Sequence, residues 1–341
     1  SGVSEAEGRG HQSGWTPGVV RSIGGPEPFA PPGIAVCPRK VATESIVRRP
    51  TLVASDRWQA GPMKVEQLWR YPVKSMMGEE MTSCRLGPVG LAGDRGWAVR
   101  DEERGGIRGA KKIAALMQFS ARYLGEPDGA VEIGAPDGSA IASSDADRDE
   151  RLSHALDHPV TLWPRRPPSD LDHYRRGPAD HEDLMDELRS IFGRTPDEPL
   201  PDLSRFPPEI LEYESPPGTY VDAYPLMVMS TSALKSLQDA LPDASVDVRR
   251  FRPNLVIDTG GRGGHPELEW AGMRARIGSA TVELTTPCPR CIMVTHAIDD
   301  QMPADRSILR HIVRDLDQNV GMYATVVEEG TIGRGDSVLL M

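Results

Sequence analysis

Apolar and polar positions alternate over short stretches along most of this chain, and long amphipathic runs are few. Val65–Tyr71 reads as a strand that Pro72 helps to end. Trp97–Arg100 reads as a second strand, followed by a hairpin loop over Asp101–Gly106. Ala130–Ile133 and Ser139–Ile141 flank Pro136-Asp137-Gly138 and predict a hairpin. Ile113–Tyr123 fits strand or helix, and periodicity does not decide between them. Leu184, Leu188 and Ile191 share one face of a helix over Glu182–Phe192, with Gly193 as its stop. A buried strand lies within Val221–Ser230, and Thr231 is placed to cap a helix over Ser232–Leu241. Further strands are read at Asn254–Asp258, Met273–Ile277, Thr281–Thr286, Met322–Val327 and Ser337–Met341, with a helix at 306–316.

These elements predict an α+β chain that is mainly β: two β-barrel-like domains with a few peripheral helices and a cleft between them. The segments are a disordered tail at 1–62, a β-barrel domain at 63–165, a linker with a helix at 166–220 and a second β domain at 221–341. The tail is set apart by runs such as Gly24-Gly25-Pro26-Glu27-Pro28, which bury too little apolar surface to offset ordering entropy. Cys37 within it reads as an exposed free thiol.

Composition narrows the function. With 341 residues and a net charge of −11, a duplex-binding surface is disfavoured and no nucleic-acid partner is expected. No apolar run approaches the ~20 residues of a membrane span. The four scattered cysteines make no disulfide framework, so a reduced, cytoplasmic setting is expected.

Two of those cysteines stand in Pro287-Cys288-Pro289-Arg290-Cys291, where the arginine favours a thiolate beside it. Four readings of this pair are open. A structural zinc site needs four ligands, and no second Cys-x-x-Cys follows. A thioredoxin-like pair needs a helix after it, which Ile292-Met293-Val294-Thr295 fits poorly. The pair also reads as a single-cysteine metal site through Cys291, or as two inert buried thiols. Elsewhere Lys74, Ser75 and Arg95 combine cations, a hydroxyl and Gly-rich turns suited to an anion. Arg252 and Asn254 add a guanidinium fork and an amide. Thr231 and Ser232 add a helix N-terminus.

Taken in order, Tyr71-Pro72-Val73-Lys74-Ser75, Gly90-Leu91 with Asp94-Arg95-x-Trp97, Phe251-Arg252-Pro253-Asn254, Arg290-Cys291, Gly321-x-Tyr323 and Gly330-Thr331-Ile332-x-x-Gly335-Asp336 resemble the MOSC proteins. These are the molybdenum cofactor sulfurase C-terminal domain proteins with an N-terminal MOSC β-barrel domain, including the mitochondrial amidoxime-reducing branch and its bacterial relatives. The resemblance covers residues 63–341. It implies a molybdenum cofactor (Mo-molybdopterin) between the two β domains, with Cys291 as metal ligand and catalytic centre. It assigns Lys74, Ser75, Arg95, Thr231, Ser232, Arg252, Asn254, Arg290 and Tyr323 to the pterin or its phosphate. The implied activity is reduction of small N-hydroxylated substrates. Electrons then come from an external donor of ferredoxin, flavodoxin or cytochrome b5 type with its reductase, since no flavin, haem or iron–sulfur motif is visible. The alternative is a non-enzymatic cofactor carrier or sulfur-delivery protein.

Overall fold

Short alternating strands cannot bury their apolar faces alone, and here they associate into one large sheet and three small ones. The structure, a computed structural model, describes residues 61–341. Nearly all of the expected tail, with Cys37, lies outside those residues. The largest sheet has eight strands in the order Val338–Leu340, Met273–Ile277, Ala280–Pro289, Asn319–Glu328, Leu226–Ser230, Leu255–Asp258, Lys64–Arg70 and Glu79–Glu80. Most neighbours pair antiparallel. Leu226–Ser230 and Leu255–Asp258 run parallel, so the chain must cross over between them. The helix Thr231–Ala240 makes that crossing and buries Ala233 and Leu237 against the apolar cluster that includes Met227 and Met229.

Three-stranded sheets are formed by Val160–Pro164 with Trp97–Asp101 and Ile107–Arg108, and by Ser120–Tyr123 with Val131–Gly134 and Ala140–Ala142. The third joins Gly330–Gly333 to Ser83–Gly87 and Gly90–Leu91. The fold is mainly β with seven short α-helices among the described residues, as the patterning predicts.

Core sharing is less segmental than the chain order. Val65, Leu68, Cys84, Leu86 and Leu91 pack in one apolar cluster with residues 226–338. Residues 73–162 build a separate cluster around Val99, Leu116, Phe119 and Ile133, which Ile298 and Met302 join from the far end of the sequence. The strand Lys64–Arg70 is therefore built into the same sheet as the strands after residue 225. Residues such as Lys74 and Arg95 are thereby carried beside the strands that follow residue 225.

Several local expectations change. Ile113–Tyr123 is both alternatives in turn, a 3-10 helix over Ala114–Gln118 and then a strand over Ser120–Tyr123. The helix Arg148–Leu156 and the strand Val160–Pro164 were not read from the pattern. The linker holds its expected helix at Leu184–Phe192, closed by Gly193 at φ 62°, together with short helices at Leu171–Tyr174 and Glu209–Glu212. Ser230, not Thr231, caps the helix that follows it: its hydroxyl accepts from the Ala233 N–H at 3.0 Å. No helix of the described residues is long and apolar enough to cross a membrane.

Candidate functional site

Three segments distant in sequence converge on one cavity of about 80 Å³. Its wall holds Lys74, Ser75 and Arg95 from the first, Asp222, Tyr224, Arg252 and Asn254 from the second, and Cys288, Arg290, Cys291 and Tyr323 from the third. Eight of the ten residues expected from sequence thus stand together. Thr231 and Ser232 do not line it. The strand Leu226–Ser230 starts beside the cavity at Met227 and carries the chain away, so the helix N-terminus opens at the opposite end of the parallel pair. There Ser232 contacts Ser230 and Thr259 through its hydroxyl.

The backbone is strained here. Among the described residues, seven non-glycine residues have positive φ, and three of them are Ser75 (70°), Arg95 (50°) and Arg252 (56°). A left-handed residue with a β-carbon costs on the order of 1 kcal/mol, and such strain clusters where surrounding structure has to enforce a side-chain direction. Close approach is enforced too: a β-carbon on Gly109 would stand 2.8 Å from the Ser75 hydroxyl.

Asp94 organises the arginine side. Its carboxylate accepts the Tyr71 N–H at 2.8 Å, the Asn254 amide at 3.1 Å and a short contact from Arg95. The guanidiniums of Arg252 and Arg95 lie 4.2 and 5.3 Å from the centre of the Tyr71 ring, within reach of its π face. The Tyr71 hydroxyl donates to the Pro253 carbonyl at 3.0 Å. Arg252 donates one N–H to the Met76 carbonyl, while its Nη2 is buried without a partner. Burial, reinforced by Arg95, pulls the Arg252 guanidinium down to about 10. In Arg95 the same burial is outweighed by Asp94, and its pKa rises.

Around the cysteines the chemistry differs from the sequence expectation. Arg290 donates to the Cys288 sulfur at 3.1 Å and to the Phe251 carbonyl at 2.7 Å, and its Nε is buried without a partner. Its fork therefore serves Cys288, not Cys291. Burial pushes the Cys291 thiol up, and Lys111 and Arg290 offset this only in part. The expected thiolate bias at Cys291 is thus corrected: desolvation of the charged form outweighs nearby cations.

Lys74 and Asn254 are already engaged. The Lys74 ammonium contacts Asp222 at 2.7 Å, the Tyr220 carbonyl at 3.0 Å and the Ser215 hydroxyl at 3.2 Å. Asn254 accepts from the Met227 N–H and donates to Asp94 and the Trp69 carbonyl. The Ser75 hydroxyl accepts from the Ala110 N–H at 2.8 Å.

Sequence reasoning missed Asp222, Lys111 and Arg194. Asp222 bridges Lys74 and Lys111, the latter at 3.2 Å. Burial would raise the Asp222 carboxyl, but the two ammonium groups hold it well below the usual range. Arg194 reaches from the linker to the Arg290 carbonyl at 3.1 Å and to the Gln318 side chain. A signal for Asp222 was present: a lone carboxylate shortly before the fully buried strand Leu226–Ser230.

Whether an anionic cofactor fits can be judged from the donors. Two buried guanidinium nitrogens in the wall lack partners, although buried polar groups are ordinarily paired. Five cations, Lys74, Arg95, Arg250, Arg252 and Arg290, stand in the wall with a single lining carboxylate, Asp222. Among the described residues no three His, Cys, Asp or Glu side chains group to hold a metal. A metal bound here draws most of its ligands from something other than these side chains. The donor set fits an anionic group that brings its own metal ligands.

Residues 62–162 match the family model described as the MOSC N-terminal beta barrel domain, and residues 216–339 match the MOSC domain. Human mitochondrial amidoxime reducing component 2 is 24% identical over 296 residues, covering 81% of this chain and 83% of its own. Human mitochondrial amidoxime-reducing component 1 is 25% identical over 306 residues, covering 81% and 82%. Among solved structures, the YuaD protein of Bacillus subtilis aligns over 83% of this chain and 97% of its own, at 12% identity and a TM-score of 0.38.

Proposed function

Because the chain belongs to the MOSC family, with a MOSC N-terminal beta barrel domain ahead of the MOSC domain, we propose that it is a molybdenum-cofactor-dependent oxidoreductase reducing N-hydroxylated compounds. The observation that carries this reading is the convergence of five cations and Cys291 on a cavity with unpartnered buried donors. The similarity to two amidoxime-reducing components supports the substrate class.

In this reading Cys291 is the protein ligand of molybdenum. Lys74, Ser75, Arg95, Arg252, Asn254, Arg290 and Tyr323 hold the pterin and its phosphate. Thr231 and Ser232 have no part in it. Soft sulfur ligation suits such a metal. When bound, the cofactor supplies the two-electron chemistry that separates oxygen from nitrogen. The chain's own residues supply binding and charge. Arg252 and Arg290 offer donors that no protein group satisfies, so an anion relieves an existing cost. Burial raises the Cys291 pKa and favours its thiol form, so holding a metal would require that proton to leave. Lys111 is held above its ordinary value: burial lowers it, and Asp222 more than compensates. Its Nζ therefore keeps its proton near neutrality and acts through charge.

Electrons are assigned to an external ferredoxin-, flavodoxin- or cytochrome b5-type donor with its reductase. In this reading the chain works in a reducing, cytoplasmic setting. The test is an anaerobic assay of benzyl hydroxylamine reduction, with a chemical reductant, on protein from a cofactor-competent host. Turnover is expected in the wild type and lost in Cys291→Ala. Bound pterin without any turnover would instead identify a carrier.

A further inference from the structure

A second cavity of about 220 Å³ adjoins the first and shares Asp222 with it. Its walls are apolar and come mainly from the linker. Leu188, Ile191 and Phe192 line it from the helix Leu184–Phe192, Leu203 and Ile210 from the turns that follow, and Ile107 from the β domain. The helix is amphipathic, yet the residue it buries most is Glu187, while Leu184 is exposed at the rim. Its apolar face is thus turned toward this space and is not packed away in a core. An apolar cavity of roughly 150 Å³ is large enough for benzene, so 220 Å³ admits a single ring with a short substituent.

The polar floor is balanced. Lys111 pairs with Asp222 at 3.2 Å, Lys112 with Glu187 at 2.5 Å and Arg176 with Glu214 at 2.5 Å. Arg108 donates to the Pro178 carbonyl at 2.7 Å and has its counter-charge outside the lining, 3.6 Å away at Asp180. No lining charge is left to demand a counter-ion, so an uncharged occupant is favoured over an ionic one. Asp222 is the group that belongs to both cavities, and its carboxylate is divided between Lys74 and Lys111.

We propose that this linker-walled cavity receives the apolar body of a neutral, single-ring substrate. The substrate's polar head is directed past the Lys111–Asp222 pair toward the cavity that holds Cys291. The proposal rests on the reductase reading for the identity of the head group, an N-hydroxy function. The cavity and its preference for an uncharged ring stand on the lining alone.

The test uses the full chain purified from a cofactor-competent host, with benzamidoxime as the ring-bearing probe and acetamidoxime as the probe without a ring. Methyl-labelled protein titrated with benzamidoxime should show shifts at Leu188, Ile191 and Ile210. Leu188→Trp and Ile210→Trp, each filling the space from a different element, should raise KM for benzamidoxime at least tenfold. KM for acetamidoxime should change less than twofold. Methyl shifts elsewhere, or equal KM changes for both probes, would overturn the proposal. So would methyls that stay unperturbed at the solubility limit of the probe. If neither compound is reduced by the wild type, the reductase reading fails, while the methyl titration still decides the cavity.

Discussion

Arg252→Met separates stability from cofactor binding. The wild-type guanidinium is buried beside Arg95, and its pKa falls from the ordinary arginine value to about 10. A fall of that size means that holding the charge in the folded state costs on the order of 3 kcal/mol. The methionine removes this cost and one unpartnered donor. It also removes the hydrogen bond to Met76, worth about 1.5 kcal/mol, and the contact over the Tyr71 ring, worth about 1 kcal/mol. The opposing terms leave the cofactor-free variant within about 1 kcal/mol of wild type, or a Tm change under roughly 4 °C. Cofactor binding loses a charge-assisted donor worth about 1.5–3 kcal/mol, a tenfold or greater drop in affinity. The assay is thermal melting of protein from a host without the cofactor pathway, and molybdenum per chain from a competent host at limiting cofactor supply. A Tm loss above roughly 8 °C with undiminished metal would show that Arg252 is a structural strut and refute the reasoning.

Other outcomes follow from the same contacts. Asp94→Ala orphans the Tyr71 N–H, the Asn254 amide and Arg95 at once; it should cost about 4 kcal/mol and lower Tm by roughly 10 °C even without cofactor. Ser230→Ala removes both the helix cap and the 2.5 Å hydrogen bond to buried Glu267, for about 2 kcal/mol by denaturant melts. Thr231→Ala should stay within about 0.5 kcal/mol in the same melts. Burial holds His173, His265 and His296 below the ordinary histidine value. The unfolded chain then binds more protons below about pH 6.5, so their contribution is complete above that value and is lost as pH falls. His173→Gln, which keeps a partner for the Tyr220 hydroxyl at 2.6 Å in wild type, should flatten the fall in Tm between pH 7.5 and 5.5. An unchanged slope would remove His173 from that account.

Strands with clean alternation were legible because one face is buried and the other is less so, as in Met273–Ile277 and Val131–Gly134. The helix Arg148–Leu156 was not, because it buries only Leu152 and Leu156 and its other positions read as a solvated loop. The residues that the fold gathers into one cavity were legible where a cation or thiol stands in a stiff, turn-rich motif: Lys74, Arg95, Arg252 and Cys291. Thr231 and Ser232 stand apart from that cavity because parallel pairing put their helix N-terminus at the far end of the strand. Asp222 and Arg194 were hidden for another reason. Their importance arises from partners at separations such as Asp222 to Lys74 and Arg194 to Arg290, which no local pattern encodes. The thiol that Arg290 serves directly was not legible from adjacency either. Neighbouring Cys291 in sequence, its guanidinium turns to Cys288.

The central claim is that this cavity binds a molybdenum cofactor through Cys291. It is tested most directly by molybdenum and pterin content per chain in wild type, Cys291→Ala and Cys288→Ala, all from one cofactor-competent host. The account predicts near-stoichiometric metal and pterin in the wild type, loss of the metal in Cys291→Ala, and retained metal in Cys288→Ala. Wild-type protein free of both, or Cys291→Ala carrying as much molybdenum as wild type, would contradict it.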